Sequence, residues 1–335
     1  MKVAIIAGGR GSTALQAGLI PVLGAENISV ITNMYDNGLT TGMCRQFFNY
    51  SILGPSDLRK NHSTAYRLTN FGRPCITETP YTGAVIKLID LHPEFTEVMK
   101  EAIYIFHTFQ EYVKDFTIGN ILYSGLMFYK GVTFAAQHMA QYLGLPKNYV
   151  VPHATENAFL YCLTVGGDFA SEEEVVEGKF FGKINDIELR SKPLFIKGVR
   201  SAYAPPPRLS AIAHHAIQEA DLIIVSTGTV WSSIMPTLYA DGLEAACSGK
   251  PMVGFVNRIA DKDVLEIPAL DNVKRINSKF RNSHIEWYAD MDTENLTESS
   301  LIKRYPLSKH DTPRGLHEPE LLAKLVVAKG LSSLK

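Results

Sequence analysis

Three glycines fall within four positions at Gly8, Gly9 and Gly11, directly after the apolar run Val3-Ala4-Ile5-Ile6-Ala7 and before Ser12-Thr13-Ala14-Leu15-Gln16. A β-branched run, a glycine turn and a helix start place unpaired backbone N–H groups under the positive end of a helix dipole, which favours an anion, most simply a phosphate. A glycine turn that serves only its own dihedrals would read the same way. The pattern returns late in the chain, where Asp221-Leu222-Ile223-Ile224-Val225-Ser226 runs into Thr227-Gly228-Thr229-Val230-Trp231-Ser232-Ser233. Its hydroxyls and free amides suit a phosphate too, and two such turns in one sheet read as a bipartite site for a diphosphate. Between them stands Asp36, in the polar loop Asn33 to Gly42, placed to hold a divalent ion or a ribose hydroxyl, or else to close an Asx turn on its own backbone. Asp57 and Arg59 follow in Pro55-Ser56-Asp57-Leu58-Arg59, where Ser56 or Asp57 can cap a helix.

The elements that position these groups read as an α/β fold. Strand 3–7, a helix over 14–23 and strand 28–32 form a βαβ start, so the ligand crevice lies beyond the carboxyl ends of the strands, where the glycine turn and the Asp36 loop meet. Asn257 closes a later buried strand, 250–256, and strand 285–288 and a helix over 319–328 complete the pattern. The expected architecture is one Rossmann-like domain over 1–335, a mostly parallel sheet with helices on both faces. A helical insertion spans 84–130 and a small antiparallel appendage spans 148–196. The insertion has Pro93 as a break, and its aromatics Tyr104, Phe106, Phe109 and Tyr112 read as core rather than as a stacking platform. Within it Phe116 to Leu126 reads as a buried helix with one polar residue, Asn120, whose amide must find partners. The appendage takes Tyr149 to Pro152, 158–165 and 179–189 as strands, and Glu172-Glu173-Glu174 as a solvated turn. His153, with no local partner in sequence, reads as structural.

Composition narrows the function classes. The 335 residues are 46% hydrophobic and carry a formal charge of -1, which gives no overall field for nucleic acid or an anionic membrane. Cys44, Cys75, Cys162 and Cys247 are scattered without metal-ligand spacing, as expected of reduced thiols in a cytoplasmic protein, and no run of apolar residues is long enough to span a bilayer. A dinucleotide-dependent oxidoreductase is disfavoured, because Thr32-Asn33-Met34 stands where an acidic residue would close the second strand.

Taken together the motifs resemble the family of 2-phospho-L-lactate transferases and the related nucleotide-sugar-binding regulators of cell-wall growth. Ala7 to Ser12 matches the opening glycine turn, Asp36-Asn37-Gly38-Leu39-Thr40-Thr41-Gly42 the Asp-Asp-Gly-Gly-Ser-Ser-Gly loop, and Pro55 to Arg59 the Pro-Gly-Asp-hydrophobic-Arg segment. Phe116 to Ile121 matches the His-Ser-hydrophobic-Gly-Asn segment, and Ser226 to Ser233 the late Gly-Pro-Gly-Ser turn. The order of the five blocks is the family's order. Arg10 replaces threonine, Asn37 a second aspartate and Phe116 a histidine.

The resemblance implies transfer of a phospholactyl-like group from a guanosine diphosphate ester to a hydroxyl of a deazaflavin-type acceptor, with Mg²⁺ and release of the monophosphate. It assigns Gly8, Gly9, Arg10, Gly11, Thr227, Gly228, Thr229 and Ser232 to the phosphates, and Asp36 to the metal or to the acceptor hydroxyl. Arg59 serves charge stabilisation, and Asn37, Asn120 and Asn257 orient donor or acceptor. Asp57 is the alternative base, weakened if Arg59 pairs with it and lowers its pKa. The resemblance implies a homodimer, and its other branch implies a regulator that holds a UDP-sugar without chemistry; Asn37 in place of an aspartate leans that way.

Overall fold

The computed structural model describes residues 1–80, 89, 93–108, 116–164, 166, 169–171, 184–191, 204–259, 267–294, 296, 297, 299–313 and 315–333. Expectations for Phe109, Tyr112 and Glu172 to Glu174 lie outside the described residues, as does the side chain of Phe106.

The expected sheet is present. Strands β1 (Val3–Ala7), β2 (Ile28–Thr32) and β3 (Val150–Pro152) are joined by β7 (Leu222–Val225), β8 (Met252–Phe255), β9 (Ile285–Ala289) and β10 (Ile302–Arg304). They lie in the order β10-β9-β8-β7-β1-β2-β3, and every neighbouring pair is parallel. β1, β7 and β8 are buried along their whole length, which is why they read as unbroken apolar runs rather than as alternations. Helices α1 (Thr13–Leu23), α2 (Leu39–Phe47) and α3 (Ser56–Thr69) follow the first two strands, and Pro319–Ser333 closes the chain against α1. That packing is close: a Cβ on Gly18 would stand 2.1 Å from the Pro319 carbonyl oxygen, so only glycine lets the two helices meet there.

The antiparallel appendage is present, with one strand exchanged. It comprises β4 (Phe159–Thr164), β5 (Phe169–Ser171) and β6 (Ile184–Arg190), in the order β5-β4-β6. Val150 to Pro152 does not belong to it, because β3 pairs in parallel with β2 at the edge of the main sheet. A short, fully buried run carries no alternation from which to choose a partner, so its sequence fits either sheet.

The insertion contributes α4 (Glu97–Thr108), α5 (Ile118–Lys130) and α6 (Val132–Tyr142). Gly125 on α5 is the contact with α4, since a Cβ there would come within 2.3 Å of the Ala102 carbonyl oxygen. Tyr104, expected in the core, is 49% exposed on α4. Which face of α4 is covered is decided by the packing of the helices, not by the spacing of its aromatics. All four cysteines are buried free thiols, and no described helix is long and apolar enough to cross a membrane.

Candidate functional site

The sheet order creates the site. The chain leaves β1 through α1 for β2 on one side and returns on the other side as β7, so the carboxyl ends of β1 and β7 flank the point where the strand order reverses. Open parallel sheets bind ligands in that crevice. The two glycine turns emerge there and touch. A Cβ on Gly11 would fall 1.9 Å from the Thr227 carbonyl oxygen and 2.6 Å from Gly228 Cα. The Thr227 hydroxyl donates to the Gly11 carbonyl at 2.7 Å. Asn257, at the end of β8, holds the second turn from behind: the Gly228 N–H donates to Oδ1 at 2.9 Å, and Nδ2 donates to the Gly228 carbonyl at 2.8 Å. Gly228 sits at φ +144°, in the region that favours glycine, so the turn needs this residue for its backbone as well as for its size.

A cleft of about 830 Å³ opens over both turns. Gly8, Gly9, Arg10, Gly11, Thr227, Gly228, Thr229 and Asn257 all line it, so eight of the expected ligand contacts converge from two ends of the sequence. The opposite wall comes from Thr312, Pro313 and Gly315 to Pro319, a segment in which the sequence showed no chemistry. Ser233, not Ser232, faces the cleft; a Cβ on Gly8 would meet Ser233 Cβ at 2.4 Å, while the Ser232 carbonyl accepts from Asn33 Nδ2 at 2.9 Å.

Beneath the first turn lies a polar cluster that the sequence did not signal. Ser12, Gln16, Asn61 and Tyr149 are each fully buried. Asn61 Nδ2 donates to the Gly8 carbonyl at 2.7 Å and to the Asp57 carbonyl at 2.9 Å, while its Oδ1 accepts from Ser12 Oγ and Gln16 Nε2, both at 2.8 Å. The Tyr149 hydroxyl donates to Gln16 Oε1 at 2.9 Å and ties the cluster to the entry of β3. Satisfied buried networks of this kind fix one geometry, and this one fixes the carbonyl that starts the glycine turn. Its members come from α1 and the residue before it, from α3 and from the residue before β3, so no local spacing could have revealed it.

The acidic residues gather around a lysine. Lys60 Nζ stands 3.2 Å from Asp57 Oδ1 and 4.0 Å from Asp36 Oδ2. Asp57 and Lys60 line the cleft, with Asp36 behind them. Asp36 also accepts from the Gly38 N–H at 3.2 Å and from the Thr41 hydroxyl at 2.9 Å, so its Asx turn and its place beside Lys60 coexist. The expected pairing of Asp57 with Arg59 is replaced by pairing with Lys60, because residues three apart share a helix face and residues two apart do not. Burial of the Asp57 carboxyl, with the Asp36 charge adding to it against the pull of Lys60, pushes its pKa up to about 6. The lowering that pairing with Arg59 would have brought is absent.

Three expected residues lie apart from this cleft. Arg59 is turned toward α5, where a Cβ on Gly119 would meet its Cδ at 2.5 Å; burial there lowers its pKa, with Glu78 opposing. Asn120 is 2% exposed and caps its own helix: Thr117 N–H donates to its Oδ1 at 3.0 Å, and its backbone N–H donates to the Thr117 hydroxyl. Among the described residues the Arg59 Nε is buried without a hydrogen-bond partner, while the Asn120 side chain also reaches the Cys44 thiol. Asn37 packs its carbonyl against Gly42, where a Cβ would approach to 2.4 Å. His153 is fully buried, with Nδ1 3.2 Å from both the Met34 backbone nitrogen and the Thr32 carbonyl oxygen, and burial lowers its pKa to about 4 against the Thr32 contact.

Comparison with known proteins agrees with this topology. Two crystal structures of a Bacillus halodurans protein, one described as a member of the UPF0052 family, superpose on the chain. The first has a TM-score of 0.68 at 15% identity, covering 97% of this chain and 98% of that one. The second has a TM-score of 0.60 at 17% identity, covering 86% and 80%. A curated protein of Aquifex aeolicus named "Putative gluconeogenesis factor" is 24% identical over 312 residues, 91% of this chain and 81% of its own. The profile of the family described as 2-phospho-L-lactate transferase CofD matches residues 3–318, a span that holds both glycine turns, the Asp36 loop and all of the cleft wall but Pro319, and the chain belongs to that family.

Proposed function

We propose that this protein transfers a phosphate-ester group, phospholactyl-like, from a nucleoside diphosphate ester to an acceptor hydroxyl. The observation that carries the reading is the contact of two phosphate-type turns, Gly8 to Gly11 and Thr227 to Thr229, over one cleft. Their backbone amides would hold the two phosphates of the donor, as amides at strand-to-helix turns do. In the reaction the acceptor oxygen forms a bond to the distal phosphorus while the bridging P–O bond breaks, and its electron pair leaves with the nucleoside monophosphate. The acceptor proton needs a base beside the phosphates. Asp57 lines the cleft, and a pKa raised to about 6 brings it near a working neutral pH, which suits a general base better than an unperturbed carboxylate. Most of the rate in such chemistry comes from alignment and neutralised charge.

The donor set fits Mg²⁺. Asp36 would hold the ion together with substrate phosphates, since Mg²⁺ sites typically draw one or two carboxylates plus phosphates, and Asp57 stays free to act as the base. No cluster of three or more acidic, histidine or cysteine ligands stands among the described residues, so the phosphates would complete the coordination. When bound, the ion supplies charge neutralisation on the diphosphate.

A second reading has its own support. The Aquifex relative is named for gluconeogenesis rather than transfer, and Asn37 leaves one aspartate in the Asp36 loop, as suits a regulator that holds a UDP-sugar. Titration with guanosine and uridine diphosphate esters, with and without Mg²⁺, separates the two. Guanosine preference, metal dependence and turnover support transfer; uridine preference with no turnover supports the regulator. In the transferase case Asp36→Ala lowers turnover by more than tenfold, and a smaller loss, under about 1.4 kcal/mol in the barrier, removes Asp36 from the mechanism.

A further inference from the structure

We propose that Lys60 is the side chain by which the cleft tells a diphosphate from its nucleoside, its ammonium group exchanging Asp57 and Asp36 for the phosphate oxygens when ligand binds. The inference deepens the diphosphate reading above and rests on it.

The placement of Lys60 carries the argument. Its stem crosses the first glycine turn so closely that a Cβ on Gly9 would stand 2.6 Å from Lys60 Cδ and 2.4 Å from Asp57 Oδ1. A side chain at position 9 would push the lysine off the turn. From there Lys60 faces the cleft together with Gly11, Thr227 and Gly228, the backbone assigned to the phosphates. Its side chain is 28% exposed, so the ammonium group is held without being sealed in. The contact with Asp36 is 4.0 Å and that with Asp57 3.2 Å, and neither is the bidentate grip that an arginine would give. Lysine is a flexible point charge able to leave one oxygen for another within the same few ångströms.

The alternative cations are worse placed. Arg59 packs toward Gly119 and is absent from the cleft lining, while Arg10 lies at the exposed mouth. The carboxylates of Asp57 and Asp36 beside it favour the charged form, so the group presented to a ligand is an ammonium. Once it turns to phosphate, the two carboxylates lose their shared counterion and become free to take another. A fixed structural ion pair would behave differently: its removal would loosen the fold and weaken every ligand alike.

Isothermal titration of the full chain in magnesium-free buffer, with inorganic pyrophosphate, GDP, UDP, guanosine and uridine as probes, tests the exchange. Lys60→Met should weaken pyrophosphate and the preferred diphosphate by 10- to 100-fold while leaving the matching nucleoside within twofold, and Lys60→Arg should recover part of the loss. A folding-independent measurement accompanies it: in the wild-type protein, saturating pyrophosphate should slow reductive methylation of Lys60 more than that of the exposed Lys309, read by peptide mass spectrometry. An equal loss for nucleoside and diphosphate, or a diphosphate loss under threefold with no change in methylation of Lys60, overturns the role of Lys60 and leaves the diphosphate site standing. A wild-type protein that binds nucleoside and diphosphate equally overturns both.

Discussion

Replacing Gly11 with alanine tests whether the two turns form one site. The added Cβ would lie 1.9 Å from the Thr227 carbonyl oxygen, 2.6 Å from the Thr227 carbonyl carbon and 2.6 Å from Gly228 Cα. All three are backbone atoms, and the second turn is pinned by Asn257 at 2.8 and 2.9 Å, so no side chain can swing aside to make room. Reaching ordinary van der Waals contact near 3.4 Å requires the turns to part by more than 1 Å. That movement strains the bond from the Thr227 hydroxyl to the Gly11 carbonyl. Overpacking of this kind costs about 1–3 kcal/mol of stability, and a misplacement of about 1 Å costs on the order of 100-fold in a reaction that depends on alignment. Urea denaturation should therefore register a modest loss, while pyrophosphate affinity by calorimetry falls at least tenfold. If Gly11→Ala binds pyrophosphate within threefold of wild type, the phosphates do not bridge the two turns.

Asn61→Ala leaves the Gly8 carbonyl and the Ser12 and Gln16 side chains short of a buried partner, and orphaned buried polar groups cost about 1–3 kcal/mol each. Its urea midpoint should drop by the equivalent of about 2–3 kcal/mol with an unchanged slope; an unchanged midpoint would mean that the network does not hold the turn. Stability should also fall in acid. His153, lowered to about 4, and His62, lowered to about 3, are neutral when folded and bind protons near pH 6.5 when unfolded, so the unfolded state gains as pH drops below 6.5. His153 alone accounts for about 3 kcal/mol once pH has fallen through 4, and Asp57, raised to about 6, offsets part of this with the opposite sign. Urea midpoints measured between pH 7.5 and 4 should decline, and a flat profile would contradict the neutral burial of His153 and His62.

The sequence by itself determined the architecture and the two glycine turns. Unbroken β-branched and apolar runs such as Val3–Ala7 and Leu222–Val225, each ending in Gly, Ser and Thr, read as strands covered on both faces, so the fold class follows from local chemistry. Tertiary structure decided everything that joins distant segments. Val150–Pro152 is too short to name its neighbour, and it went to β2. Asp57 was free to pair with either nearby cation, and the pitch of α3 gave it Lys60. Asn120, three residues from Thr117, was taken by its own helix cap. The polar platform of Ser12, Gln16, Asn61 and Tyr149, and the far wall from Thr312 to Pro319, exist only once the strand order has brought their elements to one edge. Periodicity and turn chemistry act over a few residues and are therefore written along the chain, whereas the partner of a buried polar group is set by which helix faces which, a choice made by the packing of the whole core.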